Sequence, residues 1–145
     1  MADANALRGE VDLVLDGQRF VLRPSYTAIV AMEKKTGLAL LQLVQLAEQG
    51  ALTQEVQAIV VTELVRAWGR EQLLDEYASA SDRANVTAAK AANQDTIAEL
   101  LFPVGVLAVQ PRVAIVLGLA ATGGCLPSGE VKATGMTIPA IPVAD

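Results

Sequence analysis

An Asp-Gly pair near the start of the chain most constrains how this sequence can fold. Asp16-Gly17 separates two short stretches in which apolar and polar residues alternate. Alternation with a period of two is typical of a strand with one buried face. Because glycine readily adopts the positive φ of a type I′ turn, the pair predicts a two-residue β-hairpin over 10–22. The predicted buried face comprises Val11, Leu13, Leu15, Phe20 and Leu22.

The residues after the hairpin predict a helix over 25–36. Pro24 ends the second strand, and Ser25 is a suitable N-cap. Gly37 supplies the left-handed residue on which helices commonly end. Glu33 is the polar member of an otherwise apolar stripe on this helix. It is interpreted either as an ion-pair partner of Arg23 or as a solvated carboxylate, and the sequence leaves both open.

Apolar periodicity and helix-breaking residues predict further helices along the chain. Their ranges are about 38–49, 53–68, 71–80, 86–102 and 111–121. The 53–68 helix is the most apolar, so we expect it either at the centre of the core or buried by a second chain. Trp68 could anchor an interface, although packing in the core is the expected role. Leu73, Leu74 and Tyr77 are expected to face inward, and Pro111 suits the first turn of the last helix.

The length of 145 residues favours one domain. We predict an α+β fold in which the N-terminal β-hairpin packs on a mostly α-helical bundle over 9–122. Residues 1–8 are expected to form a flexible N-terminus. Residues 123–145 are rich in Gly and Pro and are expected to form a flexible or extended tail.

Composition argues against several classes of function. The chain has no histidine and a single cysteine, Cys125, which removes the commonest general base, His-based nucleophile pairs and an intrachain disulfide. The carboxylates of Glu71 and Asp75 would make a poor two-ligand cation site. We therefore expect no enzyme, metal or cofactor.

Charge and hydropathy narrow the choice of partner. The net charge of −5 argues against a nucleic-acid binder, which needs a basic face. The most apolar stretch, 104–121, is interrupted by Gln110-Pro111-Arg112, so no membrane-spanning helix is expected. No secretory signal is visible either. These observations leave protein partners as the expectation.

A set of residues in the hairpin and first helix forms a short motif. It consists of Gly9, Glu10, Gly17, Leu22, Arg23, Pro24, Glu33 and Gly37. This motif resembles that of the gene transfer agent and bacteriophage tail assembly chaperone family, and the resemblance extends to about Trp68. We expect these residues to act structurally, in turns, caps and placement of the hairpin.

The resemblance implies a small chaperone in the cytoplasm of the bacterial host. Such proteins bind the tape measure protein while tail tube subunits polymerise around it. The tail tube protein and a second copy of the chain are further partners to consider. The alternative is a structural tail or head–tail connector subunit that stays in the particle.

Two leucines of the predicted 38–49 helix are the candidate partner-binding residues. Leu41 and Leu46 fall outside the arc of core positions on this helix. They predict either a client-facing apolar patch or a widened buried face.

Overall fold

The computed structural model describes residues 10–132. Over this range a two-stranded antiparallel sheet is followed by six helices, which confirms the predicted α+β class. The strands are β1 (Val11–Leu15) and β2 (Gln18–Leu22). The helices are α1 (Tyr26–Thr36), α2 (Leu40–Glu48), α3 (Gln54–Arg70), α4 (Ala80–Lys90), α5 (Gln94–Leu101) and α6 (Val106–Ala121).

The hairpin forms at the predicted turn. Asp16 and Gly17 have φ angles of 50° and 74°, and positive φ at both central residues is the requirement of a type I′ turn. Leu15 pairs directly with Gln18 across it. Most of the predicted apolar face is buried, and Val21 on the opposite face is buried as well. The opposite face is therefore covered only at Val21, since Val14 on the same face is 54% exposed.

Helix α3 forms the centre of the fold. It contacts α1, α4, α5, α6 and β2, and most of its residues are buried. Thr53 caps it, since its hydroxyl accepts a hydrogen bond from the Val56 amide at 3.1 Å. Trp68 is buried, so the prediction of a core role for this helix and its tryptophan is confirmed.

Helices α2 and α6 pack together, and a buried glutamine of α6 forms hydrogen bonds with the α2–α3 connection and with α3. The side chain of Gln110 is fully buried. Its Oε1 accepts from the Leu52 amide, and its Nε2 donates to the Leu52 carbonyl and to Gln57 Oε1, each at 3.0 Å. Since buried polar groups must find partners, this carboxamide fixes the α2–α3 connection against α6.

The structure corrects the predicted helices between residues 71 and 102. Residues 71–79 form turns and irregular backbone, and Leu73, Leu74 and Tyr77 are exposed rather than inward. Ser79 accepts a hydrogen bond from the Asp82 amide at 3.0 Å, so helix α4 begins at Ala80, where the predicted 71–80 helix was expected to end. Asn93 accepts from the Thr96 amide at 2.9 Å and starts a separate helix, so the predicted 86–102 helix is two helices. These two caps outweigh the apolar spacing that suggested other boundaries.

The start of the last helix was also predicted wrongly. Helix α6 begins at Val106, and Pro111 lies inside it. A proline there lacks the N–H that would bond one turn back, which disfavours this position. The buried stripe from Val109 to Leu117 spans the proline, so packing against α2 overrides the local preference.

Arg23 connects three separate parts of the chain. Its side chain is 2% exposed, and Nη1 lies 3.3 Å from Glu10 Oε2. Nε donates to the Ser128 carbonyl at 2.7 Å, and Nη2 lies 3.8 Å from Glu130 Oε1. The Arg23 amide donates to the Leu64 carbonyl at 3.2 Å. We call Arg23, Glu10, Ser128 and Glu130 the Arg23 cluster.

Residues 124–132 fold back onto the Arg23 cluster. Cys125 and Val131 pair as an antiparallel bridge, and the Tyr26 amide donates to the Pro127 carbonyl at 2.8 Å. A Cβ added to Gly129 would lie 2.8 Å from Arg23 Cγ, which shows how closely this segment packs. The first part of the predicted tail is therefore docked, whereas residues 1–8 and 133–145 lie outside the described residues.

Replacing Gly17 with valine should destabilise the hairpin. A β-branched residue at φ 74° is strained, and we expect the free energy of unfolding to fall by about 1–3 kcal/mol. A Cβ at this position meets no atom within 4 Å, so the loss is conformational. Gly17→Asn is the control because asparagine tolerates positive φ. Equal denaturant midpoints for the two variants would contradict this account.

Replacing Arg23 with methionine should destabilise the protein far more than the same change at Arg19. Arg23→Met removes the buried guanidinium that contacts Glu10, Ser128 and Glu130, and breaking a buried ion pair in this way is expected to lower the free energy of unfolding by about 3–5 kcal/mol. Arg19 pairs with Asp12 at 3.8 Å, and the two side chains are 36% and 41% exposed. Arg19→Met should therefore lose less than about 1 kcal/mol. Chemical denaturation compares the two, and similar losses would show that the buried pair contributes no more than a surface pair.

Candidate functional site

Most motif residues lie at the base of the hairpin or at element ends. Glu10 and Arg23 form the buried ion pair, and Leu22 and Pro24 are buried beside it. Gly17 occupies the hairpin turn. Gly37, at φ 72°, ends α1, and its amide donates to the Glu33 carbonyl at 2.9 Å. Gly9 lies outside the described residues.

Glu33 has a role that neither interpretation of the sequence described. Its Oε2 accepts a hydrogen bond from the Leu40 amide at 3.0 Å. Leu40 is the first residue of α2, so this carboxylate satisfies an N-terminal amide and faces the positive end of the helix dipole. The suggested partner, Arg23, pairs with Glu10 and Glu130 instead.

The two candidate partner-binding leucines lie in different environments. Leu41 is 60% exposed, whereas Leu46 is half-buried and packs against the core. Five residues along an α-helix turn the side chain by about 140°, so the two do not share one face. Leu41 remains a surface candidate, and Leu46 contributes mainly to packing.

The segment 71–79, here called the 71–79 loop, displays apolar side chains most openly. Leu73 is 99% exposed and Tyr77 is 85% exposed. The loop is held by a hydrogen bond from the Tyr77 amide to Asp75 Oδ1 at 2.9 Å and by one from Arg83 Nη2 to the Asp75 carbonyl at 2.6 Å. Large apolar side chains held in this way at the surface suit contact with another protein. Sequence periodicity missed this loop because it assigned the same side chains to the core.

Other exposed apolar side chains lie elsewhere on the described surface. Besides Leu41, those more than half exposed are Val14, Tyr26, Phe102, Leu107 and Ile115. Leu107 and Ile115 are eight residues apart on α6, so they lie along one side of this helix. This side faces away from the buried stripe that packs on α2.

An apolar groove of about 250 Å³ lies where α1, α2 and the end of α6 meet residues 125–127. It is lined by Pro24, Tyr26, Ile29, Leu40, Ala120, Cys125, Leu126 and Pro127, and we call it the Cys125 groove. None of these residues is charged. Burial raises the pKa of the Cys125 thiol, although the positive charges of Arg23 and Lys132 oppose this effect. The thiol is thus a poor nucleophile at neutral pH.

Neither a metal site nor a membrane span is found in the described part of the chain. Over 10–132, no group of three or more ligating side chains is placed to hold a metal ion. Glu71 and Asp75 do not share a helix, because the 71–79 loop is irregular. Within the same range, no helix has the length and apolar character needed to cross a bilayer.

Comparison with known proteins identifies the family. A family model described as phage tail tube protein, GTA-gp10, matches residues 8–104, a range that includes the hairpin and helices α1 to α5. No curated protein and no solved structure matches the chain. Because the match covers more than half of the sequence, the chain belongs to this family of phage and gene transfer agent tail proteins.

Proposed function

We propose that this protein acts in phage tail assembly by binding other tail proteins, without catalysis, in the cytoplasm of the bacterial host. Membership of a phage tail protein family supports a function in the phage tail. The 71–79 loop supports the binding mode, because the Leu73 and Tyr77 side chains are almost fully exposed on a loop in which Asp75 bonds to the Tyr77 amide and to Arg83. Burying one such side chain against a partner contributes about 1.5–3 kcal/mol.

A tail assembly chaperone is the first specific role. In this role the protein binds the tape measure protein until tail tube subunits polymerise around it. The motif in the hairpin and α1 supports this role through its resemblance to tail assembly chaperones. Apolar side chains displayed on a small helical fold also suit an amphipathic client helix, whose apolar face needs cover before assembly.

A subunit of the tail tube itself is the second candidate. The description of the matching family favours it. Such a subunit contacts other copies of itself, and contacts between two different surfaces of one chain generate rings or helical tubes. The several exposed apolar positions on α6 and the 71–79 loop would supply such surfaces.

Mass spectrometry of purified particles distinguishes the two roles. A chaperone should be absent from mature particles or far below the copy number of the tail tube. A tube subunit should be present in a number proportional to tail length. Equal abundance in assembly lysates and in purified particles would contradict the chaperone role, and absence from particles would contradict the tube role.

Polar substitutions in the 71–79 loop should weaken binding to the tape measure protein. The double variant Leu73→Gln, Tyr77→Gln should keep the denaturant midpoint of the parent, because neither side chain is buried. We expect its affinity in a co-expression pull-down to fall at least about tenfold, the equivalent of 1.4 kcal/mol. Leu41→Gln, at the candidate predicted from sequence, is measured alongside.

Leu107→Gln provides the matched control for this experiment. Leu107 is an equally exposed apolar residue, but it lies on α6 outside the range that the family model matches. Its substitution should leave capture of the tape measure protein unchanged. If the control weakens capture as much as the loop variant, general surface hydrophobicity rather than the 71–79 loop is responsible.

A further inference from the structure

We propose that the Cys125 groove binds an uncharged aliphatic segment with proline spacers, and that residues 133–145 of the same chain supply it. This proposal does not depend on the proposed function. It concerns which part of the molecule covers the Cys125 groove.

The chemistry of the groove restricts its occupant. Its described lining is aliphatic or aromatic apart from the Cys125 thiol, and it includes two prolines, Pro24 and Pro127. Ile29 and Leu40 are only half-buried there, so apolar area remains available for contact. A charged segment would lose hydration there, and none of the lining side chains carries a charge to pair with it. An uncharged apolar segment would instead gain from burial.

The path of the chain brings residues 133–145 to this groove. The Lys132 amide donates to the Gly124 carbonyl at 2.9 Å, and Val131 is bridged to Cys125. The chain therefore leaves the described structure directly beside a residue that lines the groove. A neighbouring segment of the same chain is present at an effective concentration in the millimolar range. It therefore has an advantage over a separate partner of equal affinity.

The sequence of this segment has the required chemistry. It reads Ala-Thr-Gly-Met-Thr-Ile-Pro-Ala-Ile-Pro-Val-Ala-Asp, with Asp145 as its one charged side chain. Ile138 and Ile141 are three residues apart, and each precedes a proline. Three residues make one turn of a polyproline II helix, so in that form both isoleucines point to one side, about 9 Å apart. Proline spacing also reduces the entropy lost when such a segment binds.

Cys125 provides a direct probe of the groove, because it is the only cysteine in the chain. The rate of its reaction with Ellman's reagent is measured in the full-length protein and in a full-length Ile138→Asp, Ile141→Asp variant. We expect the variant to react at least about tenfold faster, since its segment no longer covers the thiol. The limiting rate at high pH is compared, because it reports access to the thiol separately from its pKa.

Four further measurements make the result specific. Thr134→Asp, Thr137→Asp adds the same two charges at the same spacing and should react at the parental rate. Ile138→Ser, Ile141→Ser removes the apolar side chains without adding charge and should react as the Asp variant does. The fluorescence of buried Trp68, the only tryptophan, should be unchanged, which excludes unfolding as the cause. A synthetic peptide of residues 133–145 should restore protection to the Asp variant in a saturable manner.

Equal reaction rates for the parent, both isoleucine variants and the threonine control would overturn the proposal. Failure of the peptide to protect the variant would also overturn it. If protection of the parent is lost on dilution, the segment comes from a second copy, and the assignment to the same chain is wrong.

Discussion

The buried guanidinium of Arg23 is the interaction on which the arrangement of the chain depends. Removing an arginine from water carries an energetic penalty of several kcal/mol unless its donors find partners. Here the partners are Glu10 before the hairpin and Ser128 and Glu130 beyond α6, while the Arg23 amide binds Leu64 in α3. The charge is satisfied only when all of these segments are assembled. The Arg23 cluster therefore disfavours arrangements in which any one of them is misplaced.

A second set of polar contacts performs a similar task elsewhere in the interior. Aromatic residues make up 3% of the chain, so its core consists mainly of aliphatic side chains, which give little directional preference. The hydrogen bonds between Gln110 and Leu52 are directional, and they orient α6 relative to the α2–α3 connection. The ion pair between Glu63 Oε2 and Lys35 Nζ, at 2.9 Å, orients α1 relative to α3 in the same way. We infer that these buried polar groups select one packing of similar aliphatic faces.

Whereas the interior contains buried polar groups, the surface displays large apolar side chains on the 71–79 loop and along α6. A monomer gains nothing from this exposure, whereas a protein that contacts other tail components gains binding energy from it. This distribution agrees with membership of a phage tail protein family. The family match ends at residue 104, so α6 and the part of the Cys125 groove formed by Ala120 and residues 125–127 lie beyond it.

The sequence alone determined the elements whose signals are local. Asp16-Gly17 specified the hairpin turn, and Ser25 and Gly37 marked helix ends that the structure contains, because turns and caps depend on residues close together in the chain. Apolar spacing could not tell the exposed 71–79 loop from a core helix, because it records hydrophobicity and not what covers it.

Only the tertiary structure decided the partners of Arg23 and Gln110. Arg23 binds Ser128, which lies 105 residues away in sequence, and Gln110 binds Leu52 across 58 residues. Tertiary packing also decided that Pro111 lies inside α6 and that the Glu33 carboxylate binds the first amide of α2. Such pairings depend on how whole elements pack, since the burial that makes them necessary exists only after the chain has folded.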